Sequence, residues 1–176
     1  IVEATNQSIL ELSQEAVSLL AWSVEQLGDN FAIAGFNSNT REQVMYYHIK
    51  GYSERWDDTV KARLANLKAE YSTRMGAAIR HATHYLDLQK SDKKLMLILT
   101  DGEPSDVDVK DSEMLIKDTH KAVQECQQKG MYPYCISLDN KADNYVSDIF
   151  GSHYSVIDKI ESLPKELPQL FLSLTK

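Results

Sequence analysis

The chain has 176 residues, 43% hydrophobic and 26% charged, with 19 Lys and Arg against 26 Asp and Glu for a net charge of −7. That length and apolar content predict one domain with a real core, since chains of about 150 residues bury roughly 70% of the surface they expose when unfolded, and they exclude collagen-like, disordered and disulfide-scaffold classes. The acidic balance argues against sequence-independent nucleic-acid binding and against adsorption to an anionic membrane, because both rest on basic surface.

Residues 8–27 read as a helix. Ile9, Leu12, Ala16, Leu19 and Leu27 form a stripe that Leu10, Val17, Leu20 and Val24 widen, and Gly28 stands at the C-terminal cap. So wide an apolar face predicts packing on a sheet. Residues 31–36, Phe-Ala-Ile-Ala-Gly-Phe, are short and apolar, the pattern of a strand buried on both faces. The turn cluster at 37–40 leads to a second strand at 43–50, and so short a turn predicts an antiparallel pair with the second strand at an edge. Trp56, Val60, Leu64 and Leu67 make a helical face, and another helix opens at Ser72-Thr73 and runs to about Leu88.

The run 95–99, Leu-Met-Leu-Ile-Leu, is the most strand-like in the chain and ends abruptly in Thr100-Asp-Gly-Glu-Pro104. After an acidic loop at 105–112 come a helix at 114–129 stopped by Gly130, and a strand at 132–138 with a ladder gap at Pro133. A short helix at 142–150, a strand at 154–157 and a last helix complete the order. In that last helix Pro164 and Pro168 must occupy the first turn or cause a kink, and Leu167, Leu170, Phe171 and Leu174 form the buried face. Strands alternating with helices predict a doubly wound α/β open sheet whose later strands are parallel through right-handed crossovers.

The two cysteines, Cys126 and Cys135, have no metal-ligand spacing and lie in apolar segments, so they read as reduced, buried thiols. No apolar run reaches the roughly 18 residues of a membrane span. Residues 1–6 carry neither the charged nor the apolar region of a signal peptide, so a soluble cytoplasmic protein is expected.

In open α/β sheets, ligands bind beyond the carboxyl ends of the strands. The 95–99 strand delivers Asp101 to that edge, with Gly102 and Pro104 shaping the turn; an acid that merely caps the turn is the alternative. Ser72-Thr73 lies at a helix start, where an ordinary N-cap is the alternative. Together, hydroxyl and carboxylate oxygens suit a hard cation such as Mg²⁺, although two protein ligands make only a weak site. His81 and His84 stand at i, i+3 with no third ligand, and read as surface or packing histidines. Asp106-x-Asp108 begins like a calcium loop but lacks its Gly and terminal Glu.

The segment 73–82, Thr-Arg-Met-Gly-Ala-Ala-Ile-Arg-His-Ala, followed by 99–106, Leu-Thr-Asp-Gly-Glu-Pro-Ser-Asp, resembles a von Willebrand factor A domain. The likeness is greatest to the C-terminal domains of CbbO and NorD proteins, adaptors of MoxR-type AAA+ ATPases that activate Rubisco and nitric oxide reductase. It runs over the whole chain, including residues 31–36 and 163–168. The resemblance implies a metal-ion-dependent adhesion site in which Thr73 is the ligating Thr and Asp101 the Asp. It also implies an open coordination position completed by a partner's carboxylate. Ser72, Glu103, Ser105 and Asp106 would form the rim, and the acidic run through Asp108 and Asp111 reads either as a solvated loop or as a selector of basic or amide-rich partner surfaces.

One part of the pattern is missing: no Asp-x-Ser-x-Ser occurs in the 176 residues. In the family that loop ends the first strand, which is central, between the strands expected here at 31–36 and 95–99. Without it, buried backbone groups on both neighbours lose their partners. Either the native protein continues upstream, which is the preferred account, or another segment or molecule fills the gap. Residues 1–176 are therefore expected to be a single von Willebrand factor A domain lacking that strand and loop, with Mg²⁺ binding weak or absent in this chain.

The expected function is non-catalytic: an adaptor domain that engages a client enzyme, Rubisco by the nearer motif likeness or nitric oxide reductase, for an AAA+ ATPase. A Mg²⁺-dependent phosphoryl-transfer enzyme with Asp101 holding the ion is the alternative from another class. Against it, the chain has no G-x-x-x-x-G-K-[ST], G-x-G-x-x-G or G-x-S-x-G motif.

Overall fold

A computed structural model describes residues 2–38, 44–67, 75–100, 112–138, 145–157 and 159–175. The elements run α1 (Val2–Leu27), β1 (Ile33–Ser38), β2 (Val44–Lys50), α2 (Asp58–Ala65), α3 (Met75–Asp87), β3 (Leu95–Thr100), α4 (Ser112–Gln128), β4 (Tyr132–Ser137), α5 (Val146–Phe150), β5 (Tyr154–Val156), a 3-10 turn (Ile160–Ser162) and α6 (Leu163–Leu174). The order matches the sequence expectation, with two shifts. Helix α1 starts at Val2 and not at Ser8, because residues 2–7 contain no Gly or Pro to stop it. Strand β1 starts at Ile33, which leaves Phe31 outside the ladder.

The fold is α/β, with an antiparallel pair β1–β2 and a parallel sheet in the order β3–β4–β5. Among the described residues the strands thus form two sheets where one was expected.

The chain divides into two compact units. In the first, α1 packs against α6 and α2. Its core is Ala21, Ile49, Trp56, Val60 and Leu64, with Val17, Phe31, Ile33 and Leu67 against it. Asp57 caps α2 by accepting from the Val60 N–H at 3.0 Å. At the other end, Gln14 Nε2 donates to the Leu64 and Leu67 carbonyls at 2.9 and 3.0 Å, tying α1 to the chain that leaves α2. Lys50 is only 2% exposed. Its ammonium donates to the Phe31 carbonyl at 2.7 Å and the Gly51 carbonyl at 3.1 Å and lies 4.0 Å from the Phe31 ring centroid. In α6, Pro164 falls in the first turn and Pro168 inside the helix; Leu163 and Leu167 are buried while Leu170, Phe171 and Leu174 are half-buried.

The second unit holds the parallel sheet and helices α3, α4 and α5. Strand β4 is central, with Leu95 to Thr100 aligned on Tyr132 to Ser137 and Cys135 to Ser137 aligned on Tyr154 to Val156. A proline is tolerated there for a positional reason. The Tyr132 N–H donates to Lys94 on the β3 side and the Cys135 N–H to His153 on the β5 side. By alternation Pro133 faces the β5 side two residues before that ladder begins. Cys126 and Cys135 are free and buried, as expected. Burial pushes the Cys126 thiol up, and the Cys135 thiol up to about 12.

Candidate functional site

The carboxyl end of the parallel sheet can be built from residues of the second unit alone. Thr100 and Ser137 are the last residues of β3 and β4, stand in register, and are both buried. The Leu138 N–H donates to the Thr100 carbonyl, and the Ile157 N–H to the Ser137 carbonyl, each at 2.9 Å, so the pairing persists to the strand ends.

Helix α4 carries the chain from the end of β3 back to the start of β4. In a parallel crossover its N-terminus therefore lies toward the carboxyl edge. Helix α3 packs beside α4, and three contacts fix their relative direction. Gly76 meets Asp118, Arg80 meets Asp118 and Glu125, and Asp87 meets Lys129. Partners ascend together along both helices, so α3 is parallel to α4 and presents its N-terminus to the same end.

The Gly76 contact explains a glycine inside a helical motif. A Cβ there would fall on Asp118 Oδ2 and lie 3.2 Å from Asp118 Cγ. Arg80 then grips the same acid. Its Nη1 donates to Asp118 Oδ1 at 3.0 Å, its Nη2 to the Asp118 carbonyl at 3.3 Å, and its Nε to Glu125 Oε2 at 3.1 Å. Partial burial alone would lower the Arg80 pKa, but the hydrogen bonds it donates to the two carboxylates outweigh it and the net direction is up.

Ser72, Thr73, Asp101, Glu103, Ser105 and Asp106, the residues the sequence singles out, all lie outside the described residues, as do Asp108 and Asp111. What the structure describes are the ends that adjoin them. Thr73 precedes the start of α3 by two residues, Asp101 follows Thr100 directly, and α4 opens at Ser112. Among the described residues, no group of three or more His, Cys, Asp or Glu side chains could hold a metal ion. The oxygen donors expected from the sequence, Thr73 and Asp101, fit a hard cation in kind but are fewer than the six oxygens Mg²⁺ takes. His81 and His84 are exposed and engage Tyr46 and Tyr85, with ring centroids 4.4 Å apart for Tyr46–His81 and 5.5 Å for His84–Tyr85, which is the packing role expected of them.

Sequence reasoning missed the Arg80–Asp118–Glu125 cluster. The available signal was a lone arginine one turn after Gly76 in an apolar helix, with two acids seven residues apart, Asp118 and Glu125, on the following helix.

Strand ends and helix N-termini gathered at one edge define the doubly wound α/β class, in which that edge is the binding edge. The chain belongs to the von Willebrand factor type A domain family, whose model matches residues 3–167. It is similar to Protein NorD of Brucella melitensis, 36% identical over 170 residues that cover 96% of this chain and 27% of that protein. Protein NorD of Stutzerimonas stutzeri is 36% identical over 150 residues, covering 85% of this chain and 24% of that one. The chain therefore spans about a quarter of the length of these relatives. Among solved structures, a von Willebrand factor type A protein from Catenulispora acidiphila superposes with a TM-score of 0.59 at 17% identity, over 92% of this chain and 37% of that one. No helix among the described residues is long and apolar enough to cross a membrane.

Proposed function

We propose that this domain is a non-catalytic, divalent-cation-dependent protein-interaction module, the cytoplasmic client-engaging part of an adaptor for a MoxR-type AAA+ ATPase. The observation that supports the reading is the common edge. The segments carrying Thr73 and Asp101 adjoin the N-terminus of α3 and the carboxyl end of β3, in a domain of the von Willebrand factor type A family.

Thr73 and Asp101 would hold Mg²⁺ there, with hydroxyl ligands from an Asp-x-Ser-x-Ser strand that these 176 residues lack, and the ion would supply an acceptor position for a partner's carboxylate. Ser72, Glu103, Ser105 and Asp106 form the rim. The acidic run Glu103, Asp106, Asp108 and Asp111 beside it selects a partner whose carboxylate is set among basic or amide groups. Two clients fit. The motif likeness at 72–76 and 106–111 leans to Rubisco, and the NorD relatives lean to nitric oxide reductase.

The test uses the full-length protein, with purified Rubisco and purified nitric oxide reductase immobilised separately. Capture by one client is expected in Mg²⁺, to be lost in EDTA and lost in Asp101→Ala at an unchanged melting temperature. Equal capture by Asp101→Ala would sink the metal bridge. The isolated 176 residues should bind Mg²⁺ weakly or not at all, and micromolar binding in calorimetry would contradict the shortfall of ligands.

A further inference from the structure

Helix α1 is buried along one side and open along the other. Ala16, Ala21 and Val24 are at most 5% exposed. Between Glu11 and Gln26 the exposed positions are Glu11, Glu15, Leu19, Trp22 and Gln26. Their spacing of i, i+4, i+8, i+11 and i+15 puts all five on one ridge, the solvent side of the helix. A ridge that only faces water carries polar and charged side chains along its middle. Here the middle is Leu19, 44% exposed, and Trp22, 57% exposed, neighbours one turn apart. A lone exposed leucine is ordinary. A tryptophan set beside it is the kind of side chain that anchors protein interfaces.

The charge along the ridge says what covers it. In its 26 residues α1 carries Glu3, Glu11, Glu15 and Glu25 and no Lys or Arg. Glu11 and Glu15 stand at i, i+4 on the ridge itself, where like charges repel. Among the described residues neither is ion-paired. The C-terminal end of α1 is negative by its dipole, and its last turn has no basic residue to answer that. Leu19 and Trp22 therefore lie between two negative regions. A second copy of the ridge would bring negative onto negative in either orientation, and an anionic lipid surface is repelled for the same reason.

We propose that this ridge of α1 is a docking surface for a basic amphipathic helix of a partner protein. Apolar anchors of that helix, spaced i, i+3 or i+4, cover Leu19 and Trp22, and its Lys and Arg side chains face Glu11 and Glu15. The surface uses no residue of the candidate cation site and stands independently of that reading.

The experiment titrates full-length protein into two fluorescein-labelled helical peptides that share one leucine stripe, flanked by lysines in the first and by glutamates in the second. Anisotropy reads the binding, and melting temperature is recorded for every variant. The lysine peptide should bind, with an affinity that falls as salt rises. Trp22→Ala should weaken it by about 30-fold, the factor of a strong interface anchor. Leu88→Ala, which removes an exposed leucine of the second unit, should leave it within about twofold. Glu11→Lys together with Glu15→Lys should exchange the preference, weakening the lysine peptide and admitting the glutamate peptide. Failure of the lysine peptide to bind, equal binding of the two peptides, or wild-type affinity in Trp22→Ala overturns the proposal. Self-association of the peptide-free protein that Trp22→Ala abolishes also overturns it, because the ridge would then belong to a second copy. If Trp22→Ala does not fold, the charge exchange decides the matter, and an unchanged preference overturns the docking.

Discussion

A Gly76→Ala substitution sets two effects of opposite sign against each other. Alanine gains up to about 1 kcal/mol of helix propensity over glycine, less in a first turn than in a helix interior. On an unobstructed helix face the variant would be the more stable protein. Here the new Cβ falls on the Asp118 carboxylate and lies 3.4 Å from the Asp118 backbone carbonyl carbon. The carboxylate has to move, and it is the acid that Arg80 holds at 3.0 Å. Forcing a methyl into filled space costs about 1–3 kcal/mol. Loosening an ion pair whose side chains are one-third exposed adds about 0.5–1 kcal/mol. The balance is a loss of about 0.5–4 kcal/mol, opposite in sign to the propensity.

Urea denaturation followed by circular dichroism measures it directly. In an Asp118→Ala background the obstruction is gone, so Gly76→Ala should there become neutral or stabilising, and the double-mutant cycle should return a coupling above 1 kcal/mol. A Gly76→Ala protein at least as stable as the wild type would refute the reasoning, because Asp118 would then be free to swing aside at no cost.

Lys50→Met should destabilise the first unit by about 1–3 kcal/mol, since the part-buried Phe31 carbonyl loses its ammonium donor while the Gly51 carbonyl keeps the Glu54 N–H at 3.2 Å. Burial holds the Lys50 ammonium below its ordinary value of 10.5, against the pull of Glu25 and Glu54. Between a lowered folded pKa and 10.5 the unfolded state binds more protons. The stability of the wild type relative to Lys50→Met should therefore rise with pH in the alkaline range below about 10.5, as denaturation at stepped pH would reveal. Trp56 is buried with its indole N–H unpaired among the described residues, so Trp56→Phe should fall within about 1 kcal/mol of the wild type, whereas Trp56→Ala should lose about 3–5 kcal/mol. Cys126 and Cys135 should resist iodoacetamide at neutral pH until the protein unfolds, and labelling faster than global unfolding would contradict their burial.

Periodicity and punctuation made the element order legible, and the crossovers made the parallel sheet legible. These signals are local. Even Pro133 could be placed, because a residue without an N–H tolerates few ladder positions. Lys50 was not legible: a lysine at a strand end reads as a solvated terminus, and only the fold shows it turned onto a carbonyl and a ring 19 residues back. The α3–α4 cross-link escaped for the same reason, with Arg80 and its acids 38 and 45 residues apart and charged residues on helices usually facing water. Thr73 and Asp101, singled out from sequence because strand ends and helix starts have a fixed place in an open sheet, lie outside the described residues. What lay beyond sequence was the device that holds one element against the other.

The charges on the described side of the edge also bear on what the edge can bind. A helix N-terminus carries about half a positive charge and attracts anions, which is how many α/β folds bind phosphate. At α3 the Asp118 carboxylate lies against Gly76 in the first turn. With Asp118, Glu125 and Arg80 the cluster is a net single negative charge. In sequence, residues 101–111, which follow β3 directly, hold five acids, Asp101, Glu103, Asp106, Asp108 and Asp111, against Lys110 alone. The adaptor reading predicts that such a charge balance takes up a cation and not free phosphate. Thermal melting of the full-length protein discriminates the two. Mg²⁺ at 100 times its dissociation constant should add about 2.7 kcal/mol, a rise of several degrees for a domain this size. Millimolar inorganic phosphate or ATP, without Mg²⁺, should leave the transition in place. A phosphate-induced rise of the same size would mean that a phosphate-binding N-terminus outweighs the acids at this edge, and would return Asp101 to the role of an enzyme's metal ligand.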